Sequence, residues 1–297
     1  MPRFNGFSND LILTFGDSIT EFGSLVDNSG WVLQLSSYYN RKFDVLNRGF
    51  AGYNTKIAKK VFFNLFPKNS DSLPDKKTNI ELDSYDSLYK IFDQQLQTKS
   101  PAVIKLVTIF FGANDATTTD FPQHVPLDEY KQNIIDMVNH IKDPASEYYM
   151  PETKVILITP PPICEAMWGA KLLELGYPTT NRTNERAKMY ADALIEVGET
   201  LNVPVINLWK EFMQKIEELR SNHDPNNPTE NFENNIESGK FGFDRFLYDG
   251  LHPNSGGNDL IFNSLKKTIA ENYPDLVADN TPTLLPLWNE INIKLHS

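Results

Sequence analysis

The fold is decided by residues 11–20, which read LILTFGDSIT. A short apolar run with branched side chains, closed by a glycine, is typical of a strand buried on both faces of a sheet. Four further runs of the same character follow along the chain: Phe43–Asn47, Leu106–Phe111, Val155–Thr159 and Val203–Leu208. The sequence therefore predicts five buried strands.

Helical periodicity occupies the intervals between these strands. Apolar residues recur every three or four positions from Leu127 to Ile141 and from Ala187 to Leu201, and a last helix is predicted from Ser255 to Ile269. Alternation of strands and helices predicts an α/β fold with a mainly parallel sheet and helices on both faces. In such sheets ligands bind beyond the carboxyl ends of the strands, near a topological switch point.

The chain of 297 residues is expected to form a single domain, residues 1–297, because no linker or internal repeat interrupts the alternation. Residues 67–99 and 222–239 are rich in polar residues and prolines, and are predicted to be surface insertions. Residues from 279 onward form a C-terminal tail.

The charge balance and the single cysteine limit the partners and the compartment. A net charge of −11 disfavours binding to nucleic acid or stable association with an anionic membrane. Cys164 is the only cysteine, so no intramolecular disulfide can form. No secretory signature or membrane-spanning apolar stretch is recognised, and a cytoplasmic protein is the expectation.

Four polar motifs stand where a site is expected. Three come directly after strands, and the fourth precedes the last helix: Gly16-Asp17-Ser18, residues 47–54 (NRGFAGYN), Gly112-Ala113-Asn114-Asp115 and Asp249-Gly250-Leu251-His252. A serine hydroxyl becomes a nucleophile when a histidine removes its proton and a carboxylate holds that histidine. Ser18, His252 and Asp249 are the candidates for these three roles.

Acyl transfer also needs hydrogen-bond donors for the oxyanion. The candidates are the backbone N–H groups of Ser18 and Gly52 and the side-chain amide of Asn114, and Gly52 has no side chain to obstruct a substrate. Each motif alone has a plainer interpretation as a turn or a helix cap. Their joint occurrence in this order favours the active site.

These motifs match the ordered blocks of the SGNH/GDSL hydrolase superfamily. The longer stretches 13–22, 48–53, 111–116 and 249–252 resemble its isoamyl acetate-hydrolysing esterase branch, and the resemblance extends over most of residues 11–273. It implies a three-layer α/β/α sandwich of the flavodoxin-like type and an acyl-enzyme mechanism that needs no metal or cofactor. The branch implies small carboxylic esters as substrates, notably acetates of short alcohols.

Some alternatives stay open at this point. A thioesterase or lysophospholipase of the same family would need a deep apolar channel, which a sequence cannot reveal. An inactive binding protein is disfavoured because Ser18 and His252 are both present, an α/β-hydrolase because no Gly-x-Ser-x-Gly occurs, and a metal-dependent hydrolase because no metal motif occurs. Trp168 and the tail residues Leu285, Leu287 and Trp288 are expected to pack on the body, with a substrate pocket or a homodimer contact as alternatives.

Overall fold

Five parallel strands form the centre of the structure, a computed structural model that describes residues 10–66, 68, 102–177, 180–222 and 239–284. They are β1 (Leu11–Gly16), β2 (Asp44–Gly49), β3 (Ile104–Phe110), β4 (Lys154–Ile158) and β5 (Val205–Ile206). Their order is β2-β1-β3-β4-β5, and every neighbouring pair is parallel. This order has the flavodoxin-like switch point between β1 and β3.

The strands at this switch point are in register where they end. Gly16, the last residue of β1, pairs with Gly49 of β2 on one side and with Phe110 of β3 on the other. The three loops that leave these strands therefore begin side by side at one edge of the sheet. These loops carry three of the four motifs found in the sequence.

Eight α-helices surround the sheet in the described part of the chain. They are α1 (Ser18–Glu21), α2 (Trp31–Tyr38), α3 (Thr55–Phe62), α4 (Leu127–Lys142), α5 (Glu165–Glu174), α6 (Asn184–Leu201), α7 (Leu208–Ser221) and α8 (Ser255–Asn272). None of those in the described ranges combines the length and the apolar character that a membrane-spanning segment needs. The predicted α/β/α sandwich is confirmed.

The core is divided into two apolar layers by the sheet. On β4, Ile156 and Ile158 face one layer, which α2, α5, α7 and α8 cover, whereas Val155 and Leu157 face the other, which α3, α4 and α6 cover. This alternation follows from the period of two along a strand. Because both faces are covered, the strands read as continuous apolar runs in the sequence.

The fifth strand is shorter than predicted. The sequence indicated Val203–Leu208, but only Val205–Ile206 is strand. Pro204 has no N–H to donate to a ladder, and Leu208 already begins α7, whose N-cap Asn207 accepts a hydrogen bond from the Lys210 N–H. The predicted insertions 67–99 and 222–239 lie outside the described residues, apart from Lys68, Asn222 and Gly239, and so do Leu285, Leu287 and Trp288.

Candidate active site

Ser18 stands at the first position of α1, two residues beyond β1. The Asp17 side chain caps this helix by accepting a hydrogen bond from the Ile19 N–H at 2.9 Å. Gly16 makes the turn into the helix: a Cβ at Gly16 would lie 2.0 Å from the Thr20 hydroxyl oxygen and 2.8 Å from the Phe110 carbonyl oxygen. The Gly-Asp-Ser sequence thus folds into a tight turn that places Ser18 at the carboxyl edge of the sheet.

Asp249 and His252 lie on a closed loop just before α8. Leu247 and Pro253 form an antiparallel bridge, and the Tyr248 N–H donates to the His252 carbonyl at 3.0 Å. Gly250 inside the loop has φ +92°, a left-handed conformation that glycine adopts without a steric penalty. The loop is therefore narrow enough to bring two side chains three positions apart into contact.

The three predicted triad residues are brought together. Ser18 Oγ lies 2.9 Å from His252 Nε2, and His252 Nδ1 lies 2.7 Å from Asp249 Oδ2. The second carboxylate oxygen, Asp249 Oδ1, accepts hydrogen bonds from the backbone N–H groups of Leu251 and His252, at 2.9 and 2.8 Å. The carboxylate is thereby fixed from both sides and aimed at the ring.

The Asp249 carboxyl group is held in its ionised form. Burial alone would raise its pKa, but the hydrogen bond and charge of His252, together with the two backbone N–H donors, outweigh burial and leave the pKa below its ordinary value of 3.8. At neutral pH the carboxylate accepts the His252 Nδ1–H. His252 Nε2 is then left as the acceptor facing Ser18.

Aromatic rings surround His252 on several sides. Tyr248 stacks on the imidazole with ring centroids 5.7 Å apart and an interplanar angle of 17°. Phe22 and Trp168 approach with centroid distances of 5.3 and 6.1 Å. These contacts restrict rotation of the imidazole and keep its ring orientation matched to Ser18 and Asp249.

Gly52 and Asn114 stand on the loops that leave β2 and β3, beside Ser18. Gly52 is exposed and has φ +79°, so a residue with a side chain would be strained there. Neither the Ser18 nor the Gly52 backbone N–H donates to another protein group within the described residues. Both are therefore free to donate to a ligand.

The Asn114 amide is tied to its neighbours on both sides. Its Nδ2 donates to the Tyr53 carbonyl at 2.9 Å, directly after Gly52 in the chain. Its Oδ1 accepts hydrogen bonds from Arg182 Nη2 at 2.7 Å and from Gln123 Nε2 at 3.2 Å. The amide nitrogen has two N–H groups, and one of them donates to the Tyr53 carbonyl. Because the oxygen is already held by two donors, the second N–H of Nδ2 is the group that can donate to a ligand.

Arg182 and Gln123 stand in none of the motifs found in the sequence, and neither was predicted to belong to the site. Gln123 Nε2 also donates to the Gly52 carbonyl at 2.7 Å, so one side chain connects both predicted oxyanion donors. Arg182 is only 4% exposed, and it approaches from the segment before α6, 68 residues away from Asn114. Burial of an arginine side chain is rare, but the burial of Arg182 becomes visible only in the structure.

The two acidic neighbours of the motif residues, Asp17 and Asp115, have structural roles. Asp17 caps its own helix. The Asp115 carboxylate accepts hydrogen bonds from the backbone N–H and the hydroxyl of Thr55, at the start of α3. Burial raises the pKa of Asp17 to about 7 and that of Asp115 to about 6.

Cys164 and Trp168 have packing roles. Cys164 is buried, and burial raises the pKa of its thiol, which disfavours a nucleophilic thiolate. Trp168 packs against His252 and donates from its indole N–H to the Asn181 side chain at 2.9 Å. In the described part of the chain, no three His, Cys, Asp or Glu side chains are grouped as they would need to be to hold a metal ion.

Known proteins resemble this chain over most of its length. Residues 12–265 match the family model described as GDSL-like Lipase/Acylhydrolase. The isoamyl acetate-hydrolyzing esterase 1 homolog of Bos taurus is 35% identical over 282 residues, which cover 94% of this chain and 87% of the relative. A GDSL esterase/lipase of Arabidopsis thaliana is 34% identical over 287 residues, covering 95% and 94% of the two chains.

Solved structures show the same fold at lower sequence identity. The lipase/acylhydrolase from Enterococcus faecalis has a TM-score of 0.51 and 22% identity, with 93% of this chain and all of that chain covered. The acetyl xylan esterase AlAXEase has a TM-score of 0.53 and 16% identity, with 87% and 99% of the two chains covered. At these identities the likeness concerns the three-layer architecture.

Proposed function

The chain belongs to the GDSL-like lipase/acylhydrolase family and is a serine esterase, and we propose that it hydrolyses small acetate-type esters with Ser18 as the nucleophile. The observation that carries the proposal is the continuous hydrogen-bonded line from Ser18 Oγ through His252 to Asp249, with heavy-atom distances of 2.9 and 2.7 Å. These distances fall within the range that proton transfer between a nucleophile and its base requires.

In the acylation step, Ser18 Oγ attacks the ester carbonyl carbon while His252 Nε2 accepts its proton. The imidazolium that forms is stabilised by Asp249, which is ionised at neutral pH. His252 then gives the proton to the departing alkoxide, and the alcohol leaves. Water attacks the acyl-Ser18 ester in the second half of the reaction, again with His252 as the base, and releases the acid.

The carbonyl oxygen becomes negatively charged in each tetrahedral intermediate. The N–H groups of Ser18 and Gly52 and the Asn114 amide are the donors that we assign to it. The support is their position on three adjacent loops at the carboxyl edge of the sheet, and the absence of competing acceptors for the two backbone N–H groups among the described residues. Each such donor is worth about 3–4 kcal/mol of transition-state stabilisation.

The preference for small esters rests on the relatives. Four mammalian homologues named for isoamyl acetate hydrolysis are 33–35% identical over 94% of this chain. The aromatic rings around His252 are compatible with a short, apolar alcohol group beside the base. A longer-chain lipase or thioesterase would use the same triad and differ only in the pocket.

The test is hydrolysis of p-nitrophenyl acetate, butyrate and octanoate by the wild type and by Ser18→Ala and His252→Ala variants. We expect activity to fall steeply beyond butyrate, and each variant to lose about four to six orders of magnitude in kcat, because the triad acts as a unit. A preference for octanoate would keep the triad but replace the small-ester assignment. Near-normal turnover by Ser18→Ala would refute the nucleophile.

Ser146→Ala is the matched control for Ser18→Ala. Ser146 lies between α4 and β4, at the opposite end of the sheet, and its hydroxyl donates to the His140 carbonyl at 2.6 Å. This variant removes one serine hydroxyl and its two hydrogen bonds, to the His140 carbonyl and from the Tyr148 N–H, without touching the triad. Its kcat should equal that of the wild type.

The proposed cellular setting is based on the charge and the cysteine content of the chain. We propose a cytoplasmic enzyme that acts on a small-molecule ester and has neither nucleic acid nor a membrane as a stable partner. A homodimer is the alternative to a monomer. The support is the net charge of −11 and the single, buried cysteine. Cell fractionation and sedimentation of the purified protein test these two points.

A further inference from the structure

We propose that Arg182 is a positioning residue for the oxyanion site: together with Gln123 it orients and polarises the Asn114 amide. The proposal rests on the proposed function, in which Asn114 donates to the oxyanion. Arg182 Nη2 donates to Asn114 Oδ1 at 2.7 Å and to Gln123 Oε1 at 3.3 Å. The side-chain oxygen of Asn114 is therefore linked to a buried cation. The amide N–H that we assign to the oxyanion lies on the opposite side of the same amide group.

The remaining hydrogen bonds of the guanidinium go to neutral acceptors. Arg182 Nε donates to the Ala113 carbonyl at 3.0 Å, and Nη1 donates to the Asn181 side-chain oxygen at 3.0 Å. The guanidinium carbon lies 5.0 Å from the centroid of the Trp168 ring. None of its hydrogen bonds within the described residues goes to a carboxylate, so its positive charge is not neutralised by direct pairing.

Burial of this charge is unfavourable for folding. Arg182 is 4% exposed, and burial lowers its pKa to about 10, against the opposing influence of Asp17 and Asp249. It also directly precedes Thr183, the N-cap of α6, where the helix dipole disfavours a cation. A residue with only a packing role would avoid both costs, since an apolar side chain of similar volume fills such a place at least as well.

The charge has a consequence for the amide that it contacts. A cation that hydrogen-bonds to an amide oxygen draws electron density from the nitrogen and makes its N–H a stronger donor. It also fixes the amide against rotation by 180°, which would present the oxygen to the oxyanion. Gln123 Nε2, which donates to Asn114 Oδ1 and to the Gly52 carbonyl, holds the Asn114 amide from a second direction.

The test is a double-mutant cycle with Arg182→Met and Asn114→Ala, measured as kcat and KM for p-nitrophenyl acetate. Arg182→Met alone should lower kcat about 10- to 100-fold with little change in KM, as the loss of a supporting residue behind a catalytic group does. In the Asn114→Ala background the same change should lower kcat by no more than about twofold, because its effect passes through Asn114.

Two outcomes would overturn the proposal. One is an unchanged kcat in Arg182→Met, and the other is a double variant whose fold-loss in kcat equals the product of the two single losses. Arg186→Met is the matched control. Arg186 also donates to two backbone carbonyls of the same loop, those of Ala116 and Thr117, but it does not contact Asn114. It should leave kcat unchanged while lowering thermal stability, which separates a structural effect from a positioning effect.

Arg182→Lys carries the test if Arg182→Met does not fold. Lysine keeps the charge but lacks the planar fork that reaches four acceptors, so kcat should fall about tenfold or less, and again only when Asn114 is present. If Arg182→Lys lowers kcat by the same factor in the Asn114→Ala background, the inference is contradicted. If the Ser18→Ala variant turned over ester as fast as the wild type, the proposed function would fail. That outcome is independent of the results for the Arg182 variants.

Discussion

The orientation of the Asn114 side-chain amide is set by its hydrogen-bond partners, two of which come from distant parts of the sequence. Its oxygen accepts hydrogen bonds from Arg182 and Gln123, and its nitrogen donates to the Tyr53 carbonyl, so only one N–H is left to turn toward a substrate. A single hydrogen bond to a charged intermediate strengthens as charge develops. Its removal should therefore affect the rate more than substrate binding.

We expect Asn114→Ala to lower kcat by about a hundredfold or more while KM changes little. Steady-state kinetics with p-nitrophenyl acetate measure both constants. Asn133→Ala is the control, because Asn133 is equally buried but its amide donates to the Thr55 hydroxyl. A loss confined to KM would instead make Asn114 a ground-state binding residue.

Asp17 gives the stability of the protein a distinct pH dependence. Burial raises the pKa of Asp17 from 3.8 to about 7, and its Oδ2 has no hydrogen-bond partner within the described residues. Between these two pH values the folded state binds a proton that the unfolded state has released. The contribution of Asp17 to stability is therefore greatest below the unfolded pKa and is lost as pH rises toward about 7.

Asp17→Asn removes this titration but keeps an oxygen that can cap α1. Relative to the wild type, the variant should gain stability as pH rises, by roughly a few degrees in Tm between about pH 5 and about pH 8. Thermal unfolding at several pH values measures the difference. A difference in Tm that stays constant over this range would show that the buried carboxyl group does not titrate as proposed.

The sequence was sufficient to identify the residues that stand in local motifs. Ser18, Asp249 and His252 were predicted from spacing and lie in contact, and Gly52 and Asn114 lie on adjacent loops. Partners brought together over 59 to 69 residues, such as Arg182 with Asn114 and Gln123, could not be predicted because no local pattern records them. The same holds for the bond between Asp115 and Thr55.

Among the helices, length favoured prediction from the sequence, although α7, with 14 residues, was not predicted. The two long amphipathic helices α4 and α6 and the last helix were predicted within a few residues of their observed bounds. Short helices such as α2 and α3, with eight residues each, complete only about two turns, too few for a period to stand out. They depend on packing against the sheet and on caps such as Asn54 for their stability.

The junction between α5 and the triad loop leaves no room for a side chain at Gly250. A Cβ there would lie 2.6 Å from the Cys164 carbonyl oxygen and from the Trp168 backbone nitrogen, and φ is +92°. Gly250→Ala should cost at least about 1–3 kcal/mol of stability from backbone strain. It should also lower kcat about a hundredfold, since a shift near 1 Å separates Ser18 from His252.

Gly169→Ala tests this argument within the neighbouring helix. Gly169 lies inside α5, and a Cβ there would meet nothing within 4 Å. The variant should gain about 1 kcal/mol from helix propensity and keep its kcat. Denaturation and kinetics of both variants check the pair: equal effects would mean that contact with α5 is not what excludes a side chain at Gly250.

For the whole molecule, the sheet separates two apolar layers that must fold together for the site to exist. Ser18 depends on β1 and α1, whereas Thr55 and Asp115, which support the loop beyond β3, belong to the other side. Trp31, Trp168 and Trp209 all belong to the layer that α2, α5, α7 and α8 cover. In a Trp288→Phe background, which removes the fourth tryptophan, fluorescence therefore reports one layer, while far-UV circular dichroism reports both.

We expect the chain to unfold as one cooperative domain. A destabilising substitution in either layer should then lower the midpoint of the same unfolding transition. Leu265→Ala on α8 and Ile134→Ala on α4 remove fully buried side chains on opposite sides of the sheet, and each should cost about 2–5 kcal/mol. Their effects should add within about 0.5 kcal/mol, since they share no partners. In urea, fluorescence and circular dichroism should give coincident curves for both variants; an Ile134→Ala curve that shifts only in circular dichroism would mean that the layers unfold separately.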